Sequence, residues 1–342
     1  MPRIPFFFDT VAKAPIVGEI KGYYVALAAL FVAYILLKAL AGPAGELAAM
    51  LAGLSAGALI FFIVAWEFFV GAKTGGIANE IKETLIALAI ALLLWFGSGF
   101  LLNTQTPVNA IVSCSMLPSY ERGDMVLIQG AQVNAPVAKI AGGISQITRS
   151  AKVKYPGGEA DVEGSVYSYC ARQGGMQGGV CGDLVANPEE IEEWHGPLKI
   201  TYGQCSRIYP NTGKTVGTIC ANGAEIGGMK IPLGNENDLV VYGPAQGELY
   251  ARVGDIVHRA AFIVEDSSGA KYYFTKGDNN PIYDFQVYDY SLGVGNGPIG
   301  QEQIKGKVIL RVPYLGNLKL FITPQALLNP STLSGCDSYY KN

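Results

Sequence analysis

Ser113 and Ser115 stand one residue apart in Val112-Ser-Cys-Ser-Met-Leu-Pro118, between a short apolar run (Ala110 to Val112) and a β-like run (Asp124 to Gln129). A serine between two strands is most often a turn residue. The alternative is nucleophilic chemistry, which requires an adjacent base to take the hydroxyl proton. The chain has only 2 histidines, His195 and His258. His258 lies in a strand-like stretch of alternating character, Glu248 to Val264, whereas His195 in Glu192-Glu-Trp-His-Gly-Pro197 reads as a surface turn. A turn-rich segment follows the first of these, Phe274-Thr-Lys-Gly-Asp-Asn-Asn-Pro-Ile-Tyr-Asp284, and brings Asp278 and Asp284 behind the histidine strand. A carboxylate that fixes the imidazole tautomer would complete a Ser-His-Asp triad. Spacing alone does not rank Asp284 over Asp278. Lys276 offers a rival base, but its turn context predicts a solvated side chain. With His258 as base, activity should fall in acid, because an imidazolium cannot accept the serine proton.

These segments resemble the successive boxes of type I signal peptidases of the archaeal and endoplasmic-reticulum kind. The boxes are Ser113-x-Ser-Met-x-Pro118 with Arg122-Gly-Asp124, then Gly254-Asp-Ile-Val-His-Arg259, then Lys276-Gly-Asp-Asn-Asn280 with Asp284, and finally Gly306-Lys-Val-Ile-Leu-Arg-Val-Pro-Tyr-Leu-Gly316. All stand in the family's order. The resemblance implies that Ser115 attacks the scissile carbonyl, that His258 takes its proton where bacterial members use lysine, and that Asp284 supports His258. It gives Asp278 a structural or secondary electrostatic role, and makes Ser113 an oxyanion-hole donor beside the Ser115 N–H. It implies no metal and no cofactor. The partners it implies are signal peptides of secretory preproteins, cut after small residues, together with membrane lipid and the protein translocation channel.

The elements that must position these residues fall into two parts. Half of the 342 residues are apolar and only 15% are charged, below the roughly 25% of soluble globular chains. No charged residue occurs from Thr84 to Tyr120, whereas the chain beyond Glu121 has an ordinary polar mixture. Three apolar stretches, Tyr23 to Leu40, Leu47 to Val70 and Thr84 to Leu102, are expected to be long enough to cross a bilayer, which takes ~20 predominantly apolar residues. Only Lys38 and Glu67 interrupt them, both near span ends. The tail carries Arg3, Lys13 and Lys21 and the second loop carries Lys73 and Lys82, while the first loop carries no base. This bias puts the N-terminus in the cytoplasm and everything after Leu102 outside the plasma membrane; three N-terminal spans and no Asn-x-Ser/Thr acceptor make an archaeal membrane the expectation. A net charge of -3 and the lack of a basic stripe argue against a nucleic-acid partner.

The expected fold is therefore an N-terminal transmembrane α-helical anchor of three spans (residues 1–105) and a mainly-β, signal-peptidase-like external catalytic domain (106–342). Its core would be 106–130 and 238–320, with an inserted β-rich subdomain at 131–237. Cys170, Cys181, Cys205 and Cys220 lie in the insertion. Outside the cell they are expected to pair with their sequence neighbours, although four cysteines allow three pairings. Zinc is the weaker reading, since there is no CxxC and only His195 nearby. Cys114, in a place where the family has small residues, is expected to be a packed thiol. Asn317 to Leu328 is too short, and broken by Pro324, to serve as a further span. The expected function is removal of signal peptides at the outer membrane surface. The alternatives are a dedicated peptidase for a few surface-layer or pilus precursors, and an inactive envelope-anchored binding module.

Overall fold

Apolar side chains on every face leave a helix no water-facing stripe, so such a helix is either buried or set in lipid. The computed structural model describes residues 10–14, 18–39, 43–172, 178–322 and 336–341, and has such helices in its N-terminal unit. A hairpin of β1 (Thr10–Ala14) and β2 (Gly18–Lys21) leads into α1 (Gly22–Ala39), α2 (Pro43–Thr74) and α3 (Ile77–Leu101). No residue of α3 is buried, despite its Leu, Ile, Trp and Phe side chains. Among the described residues, two stretches are long and apolar enough to cross a bilayer, Ser55–Thr74 and Ile77–Leu101; a third, Gly22–Tyr34, is apolar but shorter. The expected end of the first span, Leu40, lies outside the described residues. Tyr34 and Ala56 are buried between α1 and α2, and Lys21 pairs with Glu67 at 3.0 Å.

The second unit is mainly β and begins at Gly99. It opens with β3 (Val108–Ala110), β4 (Met125–Gln129) and β5 (Val137–Lys139). The inserted region adds β6 (Ser150–Tyr155), β7 (Gly158–Glu163), α4 (Val166–Arg172), α5 (Gly179–Ala186), β8 (Glu192–His195), β9 (Leu198–Tyr209), β10 (Lys214–Ile226) and β11 (Met229–Pro232). The chain then returns as β12 (Leu239–Tyr242), β13 (Ile256–Glu265), β14 (Lys271–Lys276), β15 (Tyr288–Asp289), β16 (Val294–Gly295), β17 (Ile299–Gly300) and β18 (Ile304–Val312). Last come α6 (Asn317–Ile322), with the remainder of the excluded span, 323–328, outside the described residues, and β19 (Tyr339–Lys341).

Two sheets result. A curled half-barrel has the order β17-β14-β13-β12-β18-β4-β3, with β5 parallel to β13. The inserted sheet runs β11-β10-β9-β8-β6-β7, with β19 on β9. The half-barrel sheet thus recruits β5 from within the range expected to be insertion. The two sheets share one core: Leu198, Ile200 and Ile226 of the insertion are buried with Phe262, Phe274 and Phe285. Phe262 and Phe274 stack at 4.6 Å across β13 and β14. Apolar faces as large as these must be covered, so the insertion supplies the cover for the sheet that holds the histidine.

Cys170–Cys181 and Cys205–Cys220 are bonded as expected, with Cα–Cα distances of 5.5 and 5.9 Å. The expectation for Cys114 is corrected. It is not a packed thiol but half of a disulfide with Cys336, Cα–Cα 5.1 Å.

Candidate active site

The loop between β3 and β4 carries both serines, and backbone hydrogen bonds close its neck. The Ile111 N–H donates to the Asp124 carbonyl and the Gly123 N–H to the Ile111 carbonyl, both at 2.9 Å. Gly123 has φ 99, a conformation open to glycine at little cost. Asp124, 1% exposed, pairs with Arg311 of β18 at 2.6 Å. The Arg-Gly-Asp motif is therefore the hinge and anchor of the serine loop.

The turn after β14 closes on this loop from the other side. The Asn279 N–H donates to the Ser115 carbonyl at 2.7 Å. A Cβ on Gly277 would stand 2.7 Å from that same oxygen, closer than real Cβ contacts come. Glycine at 277 is what lets turn and loop meet.

Successive strand residues face opposite ways, and β13 uses this at positions 258 and 259. The His258 Nε2 lies 2.9 Å from Ser115 Oγ, and its Nδ1 lies 2.6 Å from Asp284 Oδ2. A carboxylate only accepts, so Nδ1 carries the ring proton and Nε2 is left to accept the Ser115 O–H. Ser113 Oγ is 3.1 Å from Ser115 Oγ. With the Ser115 proton directed at His258, Ser113 is the donor in that pair. Thr275 and Tyr242 also donate to Asp284 Oδ2, at 2.5 and 3.0 Å. Burial, then the Asp284 charge, hold the Tyr242 hydroxyl well above its ordinary range, which keeps it a donor. His258 and Asp284 are 3% and 2% exposed, whereas Ser115 is half-buried. Ser115 sits at the edge of a buried relay, where hydrogen bonds between polar groups are electrostatically stronger than in water. Tyr250 covers the His258 ring edge-on at 6.4 Å.

Asp278 lies on a different branch. It receives Arg259 Nε and Nη2 at 2.8 and 2.7 Å and Ser119 Oγ at 2.6 Å. It braces the serine loop against β13 and makes no hydrogen bond to His258.

Two expectations need correction. Lys276 is not solvated: it is 4% exposed, since it belongs to β14 and not to the turn. Burial lowers its ammonium to about 8, and the charges of Asp278 and Asp284 recover only part of the loss. Below pH 8 the folded and unfolded chains both carry this proton, and the folded one bears the full desolvation cost. Between about 8 and the unfolded value the folded chain has released it, so stability rises with pH there. Lys276→Met should remove that rise and stabilise the chain at pH 7 by up to about 3 kcal/mol. Unfolding curves of both proteins from pH 7 to 10 check this.

His195 is likewise no surface turn. It is 0% exposed on β8. Its Nδ1 lies 2.9 Å from the Thr148 carbonyl and its Nε2 2.8 Å from Glu193 Oε1. Gln286 Nε2 donates to Glu193 Oε1 at 2.5 Å, and Tyr202 OH to Oε2 at 2.7 Å. Gln286 ends the single 3-10 turn that begins at Asp284, so this buried network ties the insertion to the carboxylate of the triad.

The sequence reading missed Thr275, Tyr242 and Asn279. The first two become visible only through register: Val240 pairs with His258 and Ala260 with Thr275. Tyr242, two residues beyond Val240, therefore shares the histidine's face. Asn279 lies within Lys276-Gly-Asp-Asn-Asn280, where nothing in the sequence marks it off from Asn280. In comparisons with known proteins, no family model matches the chain and no curated protein matches it.

Proposed function

We propose that the chain is a membrane-anchored serine endopeptidase of the type I signal peptidase kind. The observation that carries this reading is the continuous relay from Ser115 Oγ through His258 to Asp284, at 2.9 and 2.6 Å. His258 Nε2 takes the Ser115 proton as Oγ attacks the scissile carbonyl. The resulting oxyanion is met by the Ser115 N–H and the Ser113 O–H. His258 then protonates the leaving amine, the C–N bond breaks, and an ester to Ser115 remains. A water that gives its proton to His258 hydrolyses the ester and restores the serine. Each proton has a named carrier, and all of them belong to this chain.

The substrate class rests on three supports. β3 ends the sheet order, so an extended peptide can add to its edge and present alternate side chains to the site. Apolar helices precede the catalytic unit, the third ending at Leu101, and a signal peptide is itself an apolar segment delivered in a membrane. Three disulfides suit an oxidising outer compartment. In this reading α1, α2 and α3 all cross, the tail is cytoplasmic, and cleavage follows small residues. A binding module without activity would have no use for an assembled relay.

Cleavage in liposomes of a preprotein with Ala at the first and third positions before the cut, together with phosphonylation by a fluorophosphonate, tests the proposal. Product and a Ser115 adduct are expected. A folded protein that gives neither would remove the peptidase reading, and an adduct without general cleavage would point to a narrow client list. Ser113→Ala should lower kcat by about 10²–10³ at nearly constant KM, since its hydroxyl acts on charge that exists only in the transition state. Steady-state kinetics on the same preprotein reads the split.

A further inference from the structure

The peptide unit between Cys114 and Ser115 is held from three directions. The Cys114 side chain is bonded to Cys336. The Cys114 carbonyl accepts Asn279 Nδ2 at 2.9 Å. The Ser115 carbonyl, one unit further on, accepts the Asn279 N–H at 2.7 Å. The Asn279 carboxamide is itself held by the C-terminal segment. Its Nδ2 also donates to the Ser338 carbonyl at 3.0 Å, and its Oδ1 accepts the Tyr340 N–H at 3.0 Å. That segment is fixed in turn to the inserted sheet. β19 pairs with β9 from Ser206 to Ile208, and Arg207 Nε donates to Ser338 Oγ at 2.9 Å. Cys114 and Ser338 are 5% and 1% exposed.

A trans peptide is planar, so its C=O and N–H point in opposite directions. Anchoring the Cys114 oxygen on one side therefore aims the Ser115 N–H on the other. That N–H is the backbone oxyanion donor of the reaction, and donors of this kind work only when their geometry is set in advance. A loop between two strands has no ladder of its own to fix one peptide plane, and the local bond on the Cys114 carbonyl, from the Leu117 N–H, is long at 3.3 Å. Here a segment more than two hundred residues distant in sequence (separation 222) supplies the fixing.

We propose that Cys336, Ser338 and Tyr340 form a positioning clasp. Through the Cys114 disulfide and the Asn279 carboxamide, the clasp sets the plane of the Cys114–Ser115 peptide and so the aim of the oxyanion donor. The inference rests on the peptidase reading of Ser115 but makes a separate physical claim about the peptide plane. The inserted sheet gains a function from it. Because β9 holds β19, the insertion is the platform from which the nucleophile loop is oriented.

The test uses the full chain in detergent, comparing the unaltered protein with the Cys114→Ala/Cys336→Ala pair and with Asn279→Ala. Preprotein cleavage gives kcat and KM, and hydrogen exchange reads the amides of residues 113–118 and 277–281. The paired variant is expected to lose about 10–100-fold in kcat at unchanged KM, less than the loss of a whole donor. Its loop amides should exchange about tenfold faster while β12 and β13 keep their protection. Cys170→Ala/Cys181→Ala, which breaks the bridge between α4 and α5, should keep both readouts. Unchanged kcat, or unchanged exchange at 113–118, overturns the clasp. If no form cleaves yet the loop amides respond, the peptidase reading fails and the clasp stands. Should the paired variant not fold, Asn279→Ala breaks the carboxamide half alone and carries the same two readouts.

Discussion

Cleavage by the Ser115→Ala chain should run about 10⁶-fold below that of the unaltered protein, and His258→Ala should lose about as much. The double variant should lose no more than either single one. The reason is the shared proton. His258 Nε2 stands 2.9 Å from Ser115 Oγ, and each group has a catalytic use only through the other, so removing one idles both. Residual activity would come from the oxyanion donors and substrate binding alone. Lys276 makes the comparison informative. Its ammonium, lowered to about 8 by burial, makes it a second candidate base near neutral pH. If lysine were the base, His258→Ala would keep most of its rate and Lys276→Met would lose it. The hydrogen bonds predict the reverse, since those of Ser115 Oγ run to His258 and Ser113. Steady-state cleavage by the four variants settles the order.

The parts of the site that the sequence exposed are those where one residue type is chemically necessary. A serine, a histidine on an alternating strand and two carboxylates in a turn could be named before any fold was known. The contrast between charge-poor and polar halves likewise separated the helical unit from the β unit, because helices fit to cross a bilayer carry long stretches without charge, such as Thr84 to Leu101. What stayed hidden depends on long-range pairing. Lys276 reads as part of a turn until β14 is seen to run through it. His195 is followed by Gly-Pro, a turn signal, yet is buried at the end of β8, because the Thr148 carbonyl and Glu193 satisfy its two ring nitrogens. Cys114 gives no local sign of a partner at 336, since the bridge is made by β19 joining β9. Side chains whose partners lie far along the chain carry no periodic signal.

Asp284→Asn should lower kcat by about 10⁴ and leave KM within a few-fold, whereas the same exchange at Asp278 should act mainly on stability. The two carboxylates were equal by spacing and are unequal by contact. Asp284 Oδ2 receives three donors, from His258, Thr275 and Tyr242, and an acceptor-only oxygen is what three donors require. An asparagine can place its oxygen there only by turning its NH₂ into the buried Oδ1 position, a place that receives no hydrogen bond from the described residues. Turned the other way, the NH₂ meets Nδ1 and forces the ring proton onto Nε2, which can then no longer take the serine proton. Either arrangement damages the base without moving the substrate strand, which is why kcat falls and KM does not. At Asp278 the partner is Arg259, with both side chains about nine-tenths buried at 12% and 10% exposure. Loss of charge there strands a guanidinium at a cost of about 3–5 kcal/mol, read as a lower melting temperature with kcat per folded molecule nearly kept. If instead Asp278→Asn lost the rate and Asp284→Asn lost only stability, the branch through Arg259 and Ser119 would be the one that orients His258, and the relay through Thr275 and Tyr242 would be structural.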